Sequence, residues 1–350
     1  MWTGRLFRSL PAMIIIALLH VAAGSAWGED SLCFANLGDF TLENGEVISD
    51  CRVAYRVIGS LNAQKSNGVL MPTWLAGTTQ EFLDLGLVGP GKMIDSTRFC
   101  VIAVDAFGNG VSSSPSNSRS QPGKAFPEFS IRDMVRAQHI LLTRELGIPR
   151  LAAVVGFSMG GMQAFQWVVS YPDFAQKAVP IVGAPWLSSN DLLSWQAELG
   201  VISALQGCQT GNEAIMRAIT PVHSMLVWTP RFRAVNTSAA DFPAFLDATE
   251  KAMLKYDAND WAWQLKAVMR HDIRAGFGGS AEKAAAAVHA KVLVITAPQD
   301  RAVYPDTARS FAGLLNAPAY ELTGDCGHLA FLCEQEKLKD LVGGFLEKKP

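Results

Sequence analysis

Beyond its first 30 residues the sequence lacks long hydrophobic runs, an excess of charge of either sign and low-complexity tracts. The 30 Lys and Arg residues and 32 Asp and Glu residues leave a net charge of −2. This balance gives no indication of a basic nucleic-acid-binding face or a polybasic membrane patch. No later stretch approaches the roughly 20 apolar residues of a membrane-spanning helix. We therefore expect a small-molecule partner, and self-association as a homodimer stays open.

Motifs for metal and phosphate binding are also missing. No Cys-x-x-Cys pair or Cys/His cluster has the spacing of a zinc site. The segment Gly89–Lys92 has the glycines and lysine of a phosphate-binding loop, but it lacks the spacing of that loop and is followed by Met93 rather than Ser or Thr. We expect neither a metal nor a cofactor.

Residues 1–28 predict a signal peptide. Arg5 and Arg8 precede a short apolar run, and small residues follow it from Gly24 to Gly28. A basic start, an apolar middle and a small-residue end are typical of secretory signals, and the run is short for a membrane anchor. We expect cleavage after Ala26 or Gly28, no membrane span afterwards, and a mature protein that is periplasmic or secreted.

The six cysteines all follow this segment. An even number of cysteines in an oxidising compartment permits disulfides. Closeness in sequence suggests two pairs, Cys33 with Cys51 and Cys326 with Cys333. Cys100 lies in an apolar strand, where a buried free thiol is favoured.

Short apolar strands alternate with amphipathic helices along most of the chain. An early antiparallel strand is predicted around residues 51–57, and later strands are short and uniformly apolar. This alternation predicts an α/β fold with a mostly parallel sheet flanked by helices. Residues 186–286 lack strand-like runs and have helical periodicity, so they predict a helical cap inserted into a core formed by residues 29–185 and 287–350.

A predicted strand leads into Gly156-Phe157-Ser158-Met159-Gly160, and a helix follows at once. This is the Gly-x-Ser-x-Gly motif in the strand–turn–helix context of the α/β-hydrolase fold. The turn exposes the serine hydroxyl, which predicts Ser158 as a nucleophile. The amide of Met159 and an amide from the loop Trp74–Gly77 are predicted to form the oxyanion hole.

A nucleophilic serine needs a base and a residue that orients the base. In this fold the acid and then the histidine follow the serine along the chain. Asp300 follows a predicted strand and His328 lies in a loop after the last one, with Asp325 as the nearest rival to Asp300. His223 and His271, in the cap, are candidates to line the pocket.

The sequence resembles the homoserine O-acetyltransferase family of α/β-hydrolases. The resemblance implies an acyl-enzyme on Ser158, with Asp300 and His328 completing a triad and with oxyanion donors at Leu75 and Met159. Its motifs span most of the mature chain in order, at Leu42–Glu46, Gly89–Asp95, Ile131–Gln138, Leu151–Gln163, Tyr256–Asn259 and Gly327–Leu332.

Three features depart from that family. The chain carries an export signal, whereas acetyl-CoA is a cytoplasmic substrate. The run Thr73-Trp74-Leu75-Ala76-Gly77 replaces the family's His-Ala-Leu-Thr-Gly. The cap preserves little of the motif around the arginine that meets the amino-acid substrate, with Arg217 as its nearest match. Arg217 and Trp74 are candidate substrate contacts.

These observations predict an exported serine-dependent hydrolase that acts on a small acyl ester through an acyl-enzyme intermediate. The alternative is an O-acyltransferase that moves acetyl from acetyl-CoA to an alcohol. A binding protein on an inactive hydrolase scaffold is disfavoured, because serine, acid and histidine are all present in the required order.

Overall fold

The computed structural model describes residues 31–348, so the predicted signal peptide at 1–28 lies outside the described residues. The described strands, in chain order, are β1 Cys33–Thr41, β2 Val47–Ile58, β3 Gly68–Pro72, β4 Val88–Gly89, β5 Ile94–Asp95, β6 Cys100–Val104, β7 Ala153–Phe157, β8 Lys177–Ile181, β9 Lys291–Val292, β10 Val294–Thr296 and β11 Ala319–Glu321.

Apart from the small pair β4–β5, these strands form one sheet in the order β1-β2-β6-β3-β7-β8-β10-β11, with β9 beside β8. The pairs β1–β2 and β2–β6 are antiparallel, and the remaining pairs are parallel. The predicted mostly parallel sheet and its early antiparallel strand are confirmed. β1 was not predicted, since its hydrophobic alternation is interrupted and its pairing with β2 contains register shifts.

Helices cover the sheet and form the long insertion after β8. They are α1 Thr79–Asp84, α2 Ile131–Ile140, α3 Met159–Ser170, α4 Ser189–Gly207, α5 Asn212–Val227, α6 Pro230–Asn236, α7 Phe242–Met253, α8 Ala258–Met269, α9 Ala281–Ala286, α10 Asp306–Leu314, α11 Ala330–Cys333 and α12 Gln335–Glu347.

The central strands are buried on both faces. Val69 and Val155 pack in one hydrophobic cluster with side chains of α1 and α12. Their neighbours Leu70 and Val154 point to the opposite face, where they pack with side chains of α2 and α3. Successive residues of a strand face opposite sides of the sheet, so strands buried on both sides read as continuous apolar runs. This architecture confirms the α/β-hydrolase fold.

The insertion consists of helices α4 to α8, and α9 belongs elsewhere. Helices α4, α5, α7 and α8 pack on one another. In contrast, Ala284 of α9 lies in a cluster with Phe311 of α10 and Phe165 of α3, against the sheet. We therefore define the helical cap of the observed fold as α4–α8, which ends at Met269.

The predicted disulfides have different outcomes. Cys326 and Cys333 are bonded, which confirms that pair, and Cys100 is a buried free thiol as expected. The pairing of Cys33 with Cys51 is wrong. In the antiparallel register Cys33 lies opposite Tyr55 while Cys51 lies opposite Gly38, which separates the two cysteines by roughly 15 Å along the strands.

Among residues 31–348, no helix combines the length and the hydrophobicity needed to cross a bilayer.

Candidate active site

Ser158 lies at the sharp turn between β7 and α3. Its backbone has φ 52° and ψ −120°, a strained conformation for a residue with a side chain. The turn is held by the Ser158 N–H, which donates to the carbonyl of Ile181 in the neighbouring strand β8 at 2.9 Å. The serine side chain is thereby lifted above the carboxyl ends of the parallel strands.

Two glycines are required by close backbone approach around this turn. A Cβ atom on Gly156 would lie 2.1 Å from the carbonyl oxygen of Gly160, and one on Gly160 would lie 2.4 Å from the carbonyl oxygen of Pro72. Neither distance is compatible with a side chain, and backbone cannot yield as a flexible side chain does. The motif glycines let β7 and α3 approach each other and β3.

The structure brings Ser158, His328 and Asp300 into one hydrogen-bonded chain. His328 Nε2 lies 2.8 Å from Ser158 Oγ, and His328 Nδ1 lies 2.7 Å from Asp300 Oδ2. His328 and Asp300 are both buried. A serine, a histidine and a carboxylate in this order can activate the hydroxyl for attack on an ester carbonyl.

Asp300 is fixed by the loop that follows β10. Its Oδ1 accepts the amides of Ala302 and Val303, each at 2.9 Å, which leaves Oδ2 for His328. The rival carboxylate Asp325 instead accepts from Arg231 Nε at 2.7 Å and is 43% exposed. The structure therefore places Asp300, and not Asp325, behind the histidine.

The loop that carries His328 is closed by a covalent bond. The disulfide joins Cys326 to Cys333, seven residues apart, so the histidine lies inside the closed loop. Between them, Gly327 adopts φ +61°. A left-handed conformation favours glycine, which explains why glycine precedes the histidine.

The two predicted oxyanion donors belong to α3 and to the loop that follows β3. Met159 is the first residue of α3, where helix amides have no partner within the helix. Leu75 lies in the loop after β3, which lines the same pocket as Ser158. Within the described residues, neither amide donates a hydrogen bond to protein. Both amides are thus free to donate to a developing oxyanion.

Buried amide side chains hold the oxyanion loop from three directions. Gln264 of α8 accepts the amide of Ala76 at 2.6 Å and donates to the carbonyl of Phe107 at 2.7 Å. Asn109 donates to the carbonyl of Gly77 at 2.9 Å. On the other side, Gln163 donates to the carbonyl of Thr73 at 3.1 Å.

The hydrogen-bonded chain behind Gln163 continues into α2 and α3. Gln138 donates to Gln163 Oε1 at 2.6 Å, and the indole of Trp167 donates to Gln138 Oε1 at 2.7 Å. All three side chains are buried, and a buried polar network that is fully paired fixes one geometry. None of these glutamine or asparagine roles was predicted, because they depend on contacts between distant segments.

Ser158 opens into a cavity of about 290 Å³ between the sheet and the helical cap. Its walls are mostly aromatic and aliphatic, which suits a small apolar ligand. The lining residues are Trp74, Leu75, Leu85, Ser158, Trp195, His223, Ser224, Val227, Trp228, Thr249, Met253, Tyr256, Trp261, His328, Leu329, Phe331 and Leu332. Trp74, a candidate substrate contact, therefore lies in the wall.

The polar groups of the walls are few and mainly uncharged. Burial, together with the charge of Glu81, raises the pKa of Tyr256, so its phenol stays protonated at neutral pH. Among the described residues, no Lys, Arg, Asp or Glu lines this cavity. The cavity therefore offers no fixed cation or anion to a ligand.

The cap contributes a second histidine to the cavity. His223 of α5 lines it, and its Nδ1 lies 3.0 Å from Oε1 of Glu198 in α4. The indole of Trp261 donates to the other oxygen of Glu198 at 2.9 Å. His271, the other candidate, is buried outside the cavity, where burial lowers the pKa of its imidazole to about 4.

Arg217 does not line the cavity. Its guanidinium pairs with Glu213 at 2.9 Å and Glu250 at 2.7 Å. The two carboxylates thus pair with the positive charge of Arg217, which had been expected to contact the substrate. Arg217 follows the family motif only in part, and the structure separates it from the site.

Comparison with known proteins gives three consistent relationships. The α/β hydrolase fold family matches residues 91–335. The ethyl acetate hydrolase of Pseudomonas veronii is 32% identical over 330 residues, covering 89% of this chain and 93% of that protein. The homoserine O-acetyltransferase of Chlorobium chlorochromatii is 30% identical over 345 residues, covering 91% and 96%.

A solved structure is similar to this chain over nearly its whole length. The acetyl esterase MekB superimposes with a TM-score of 0.83 at 30% identity, covering 90% of this chain and 95% of that chain. The chain therefore belongs to the α/β-hydrolase fold family, and within it resembles both esterases and homoserine O-acetyltransferases.

Proposed function

We propose that this protein is a carboxylic-ester hydrolase that cleaves small, uncharged acyl esters through an acyl-enzyme on Ser158. The observation that carries the proposal is the chain from Ser158 through His328 to Asp300, which opens into a small cavity with no fixed charge. The names of two relatives, an ethyl acetate hydrolase and an acetyl esterase, support the same substrate class.

In the proposed reaction, Ser158 Oγ attacks the ester carbonyl carbon and His328 Nε2 takes the hydroxyl proton. Asp300 holds the Nδ1–H tautomer and stabilises the imidazolium. The amides of Leu75 and Met159 donate to the tetrahedral oxyanion. His328 then protonates the departing alkoxide, which leaves the acyl-enzyme. In the second half His328 takes a proton from a water whose oxygen attacks the acyl carbon, the bond between that carbon and Ser158 Oγ breaks, and His328 returns the proton to Oγ as the acid departs.

The cavity favours water over homoserine as the acyl acceptor. Homoserine carries an ammonium and a carboxylate, and each would need a partner in the cavity. Among the described residues no Lys, Arg, Asp or Glu lines the cavity, and Arg217 is held by Glu213 and Glu250. Water needs no such partners.

The test compares wild type with Ser158→Ala and with Ser170→Ala, a serine at the far end of α3. We expect wild type and Ser170→Ala to hydrolyse p-nitrophenyl acetate and ethyl acetate, and to be labelled by a fluorophosphonate. Ser158→Ala should lose the labelling and at least about 10³-fold in kcat. Absence of labelling in folded wild-type protein would refute the proposal.

The acceptor is tested separately by product analysis. When wild type is incubated with p-nitrophenyl acetate and homoserine, it should release acetate as the main product and O-acetylhomoserine as a minor product. Transfer from acetyl-CoA to homoserine that is faster than hydrolysis would establish the acyltransferase instead.

We also propose that the mature protein acts outside the cytoplasm. The basic and apolar pattern of residues 1–28 supports export, and so does the disulfide beside His328, because such bonds persist in oxidising compartments. Mass spectrometry of the N-terminus from fractionated cells should find a chain that begins at Trp27 or Glu29 in exported material. Full-length chain confined to the cytoplasm would refute export.

A further inference from the structure

The second histidine of the cavity has an anchored side and an accessible side. On the anchored side, Nδ1 of His223 lies 3.0 Å from Glu198, whose side chain is fully buried. On the accessible side, Nε2 makes no hydrogen bond to any residue of the described chain, and the His223 side chain is 21% exposed. The ring of Trp261 fixes its orientation through an edge contact, with centroids 4.9 Å apart.

The number of protons that His223 and Glu198 hold between them determines whether Nε2 of His223 donates or accepts a hydrogen bond. With one proton, on Nδ1, the pair has a net charge of −1 and Nε2 is an acceptor. With two protons the pair is neutral and Nε2 carries a hydrogen, whether the shared proton sits on Nδ1 or on Glu198. Nε2–H is therefore the signature of the neutral pair.

The surroundings of Glu198 leave Nε2 of His223 available to a ligand. Within the described residues no lysine or arginine pairs with Glu198, and its second oxygen receives only the indole N–H of Trp261. His223 lines the cavity, and its Nε2 has no hydrogen-bond partner in the described chain.

We propose that His223 is a specificity-determining residue that donates a hydrogen bond from Nε2 to a second, uncharged acceptor oxygen of the substrate. The preferred substrates are small esters that carry an ether or carbonyl oxygen in addition to the scissile ester. This inference rests on the proposed esterase function and deepens it. Ser158 and His223 line the same cavity of about 290 Å³, so a small ester bound there is expected to reach both.

The test uses two pairs of esters that differ by one oxygen in place of a methylene. On the alcohol side, 2-methoxyethyl acetate is compared with butyl acetate. On the acyl side, ethyl methoxyacetate is compared with ethyl butanoate. The ratio of kcat/KM within each pair is measured for wild type and for His223→Phe, so that the intrinsic reactivity of the esters cancels between proteins.

In at least one pair, His223→Phe should lower the preference for the oxygen-bearing ester roughly five- to tenfold, the worth of one neutral hydrogen bond. The change should lie in KM more than in kcat. His223→Gln, which keeps an N–H donor near the position of Nε2, should retain part of the preference. His289→Gln, at a surface histidine paired with Asp173, should leave all ratios unchanged.

Glu198→Gln tests the position of the proton. Trp261 donates to the amide oxygen, so the amide N–H₂ must face Nδ1 and His223 keeps its hydrogen on Nε2. The oxygen preference should therefore survive in Glu198→Gln. Its loss in a variant that unfolds at the wild-type temperature would overturn the proposed donor.

The outcomes separate this inference from the proposed function. If wild type hydrolyses the esters and both ratios are the same in His223→Phe, the role of His223 is refuted while the esterase stands. If wild type hydrolyses none of the four esters and is not labelled at Ser158, the esterase proposal itself fails.

Discussion

Two carboxylate–histidine pairs reach the cavity around Ser158, one from the α/β core and one from the helical cap. Their histidine contacts are alike, with Nδ1 at 2.7 Å from Asp300 and at 3.0 Å from Glu198. The other carboxylate oxygen differs. Asp300 receives two backbone amides, whereas Glu198 receives a single indole N–H.

This difference separates the roles of the two pairs. Two backbone amides hold Oδ1 of Asp300, so Oδ2 meets Nδ1 of His328 and Nε2 faces Ser158, where it can accept the serine proton. Glu198 receives one indole N–H, and Nε2 of His223, which has no partner in the described chain, is the proposed donor to a substrate. The same two side-chain types thus provide a base in one place and a recognition group in the other.

The largest expected effect separates the two pairs in catalysis. In Asp300→Asn the amide N–H₂ turns His328 to the tautomer with hydrogen on Nε2, which cannot accept from Ser158. Turnover of p-nitrophenyl acetate should fall roughly 10⁴-fold. In Glu198→Gln it should fall less than about tenfold, because the tautomer of His223 does not change. Equal losses in both variants would remove the distinction between the pairs.

A second prediction concerns the stability of the cap pair. Glu198→Leu leaves His223 and the indole of Trp261 without their hydrogen-bond partner, so the free energy of unfolding should fall by roughly 2–4 kcal/mol. Denaturant unfolding measures this loss. Glu213→Gln, which removes one exposed partner of Arg217, should cost less than about 1 kcal/mol. A similar loss in the two variants would show that Glu198 is not a buried anchor.

A third prediction uses His271, a buried histidine whose ring makes no hydrogen bond to a carboxylate of the described chain. Burial lowers its pKa from 6.5 to about 4, so the unfolded chain binds the proton more readily between these values. The free energy of unfolding should therefore be highest above pH 6.5 and fall as the pH drops towards 4, by on the order of 2–3 kcal/mol from this group.

Unfolding of wild type and His271→Gln at pH 5 and pH 7 measures this contribution. The variant should lose less stability than wild type between the two pH values. If both proteins lose the same stability between pH 7 and pH 5, His271 does not titrate in this range.

The smallest expected effect comes from the disulfide around His328. Cys326→Ser with Cys333→Ser should lower the free energy of unfolding by about 2 kcal/mol, the loop entropy of so short a closed loop. Turnover should fall less than tenfold, since Asp300 still holds His328. The selectivity that we attribute to His223 should not change. A loss of selectivity would show that the disulfide around His328 also controls His223, and the two pairs would then not be independent.

The core pair, Asp300 and His328, could be predicted from the sequence because both residues follow the ends of strands. Ser158 lies in a local motif, and Asp300 and His328 follow β10 and β11 at positions that the chain order of the fold specifies. Such positions depend on short-range pattern. The parallel sheet then brings them together, since the carboxyl ends of its strands share one edge.

The cap pair could not be paired from sequence. Glu198 and His223 are 25 residues apart on different helices, and their contact depends on how α4 packs against α5. His223 was a candidate for the cavity wall, but nothing local identified its partner. Arg217 fails for the same reason, because Glu250 on α7 reaches it only in the folded cap.

Register explains the wrong disulfide. Cys33 and Cys51 lie on adjacent strands, but the pairing places them at different points along the β1–β2 ladder. Such a slip is decided by the turn and by the bulges, which composition does not reveal.

Gln264 limits how this enzyme can be recombined with its relatives. It belongs to the cap by sequence, yet its side chain fixes Ala76 and Phe107 in the core. Modular exchange of helices α4–α8 for those of a relative would therefore replace the anchor of the oxyanion loop along with the walls of the cavity. A functional chimaera needs a matched exchange of the cap and of residues 73–77 and 105–109, because Gln264 hydrogen-bonds to both segments.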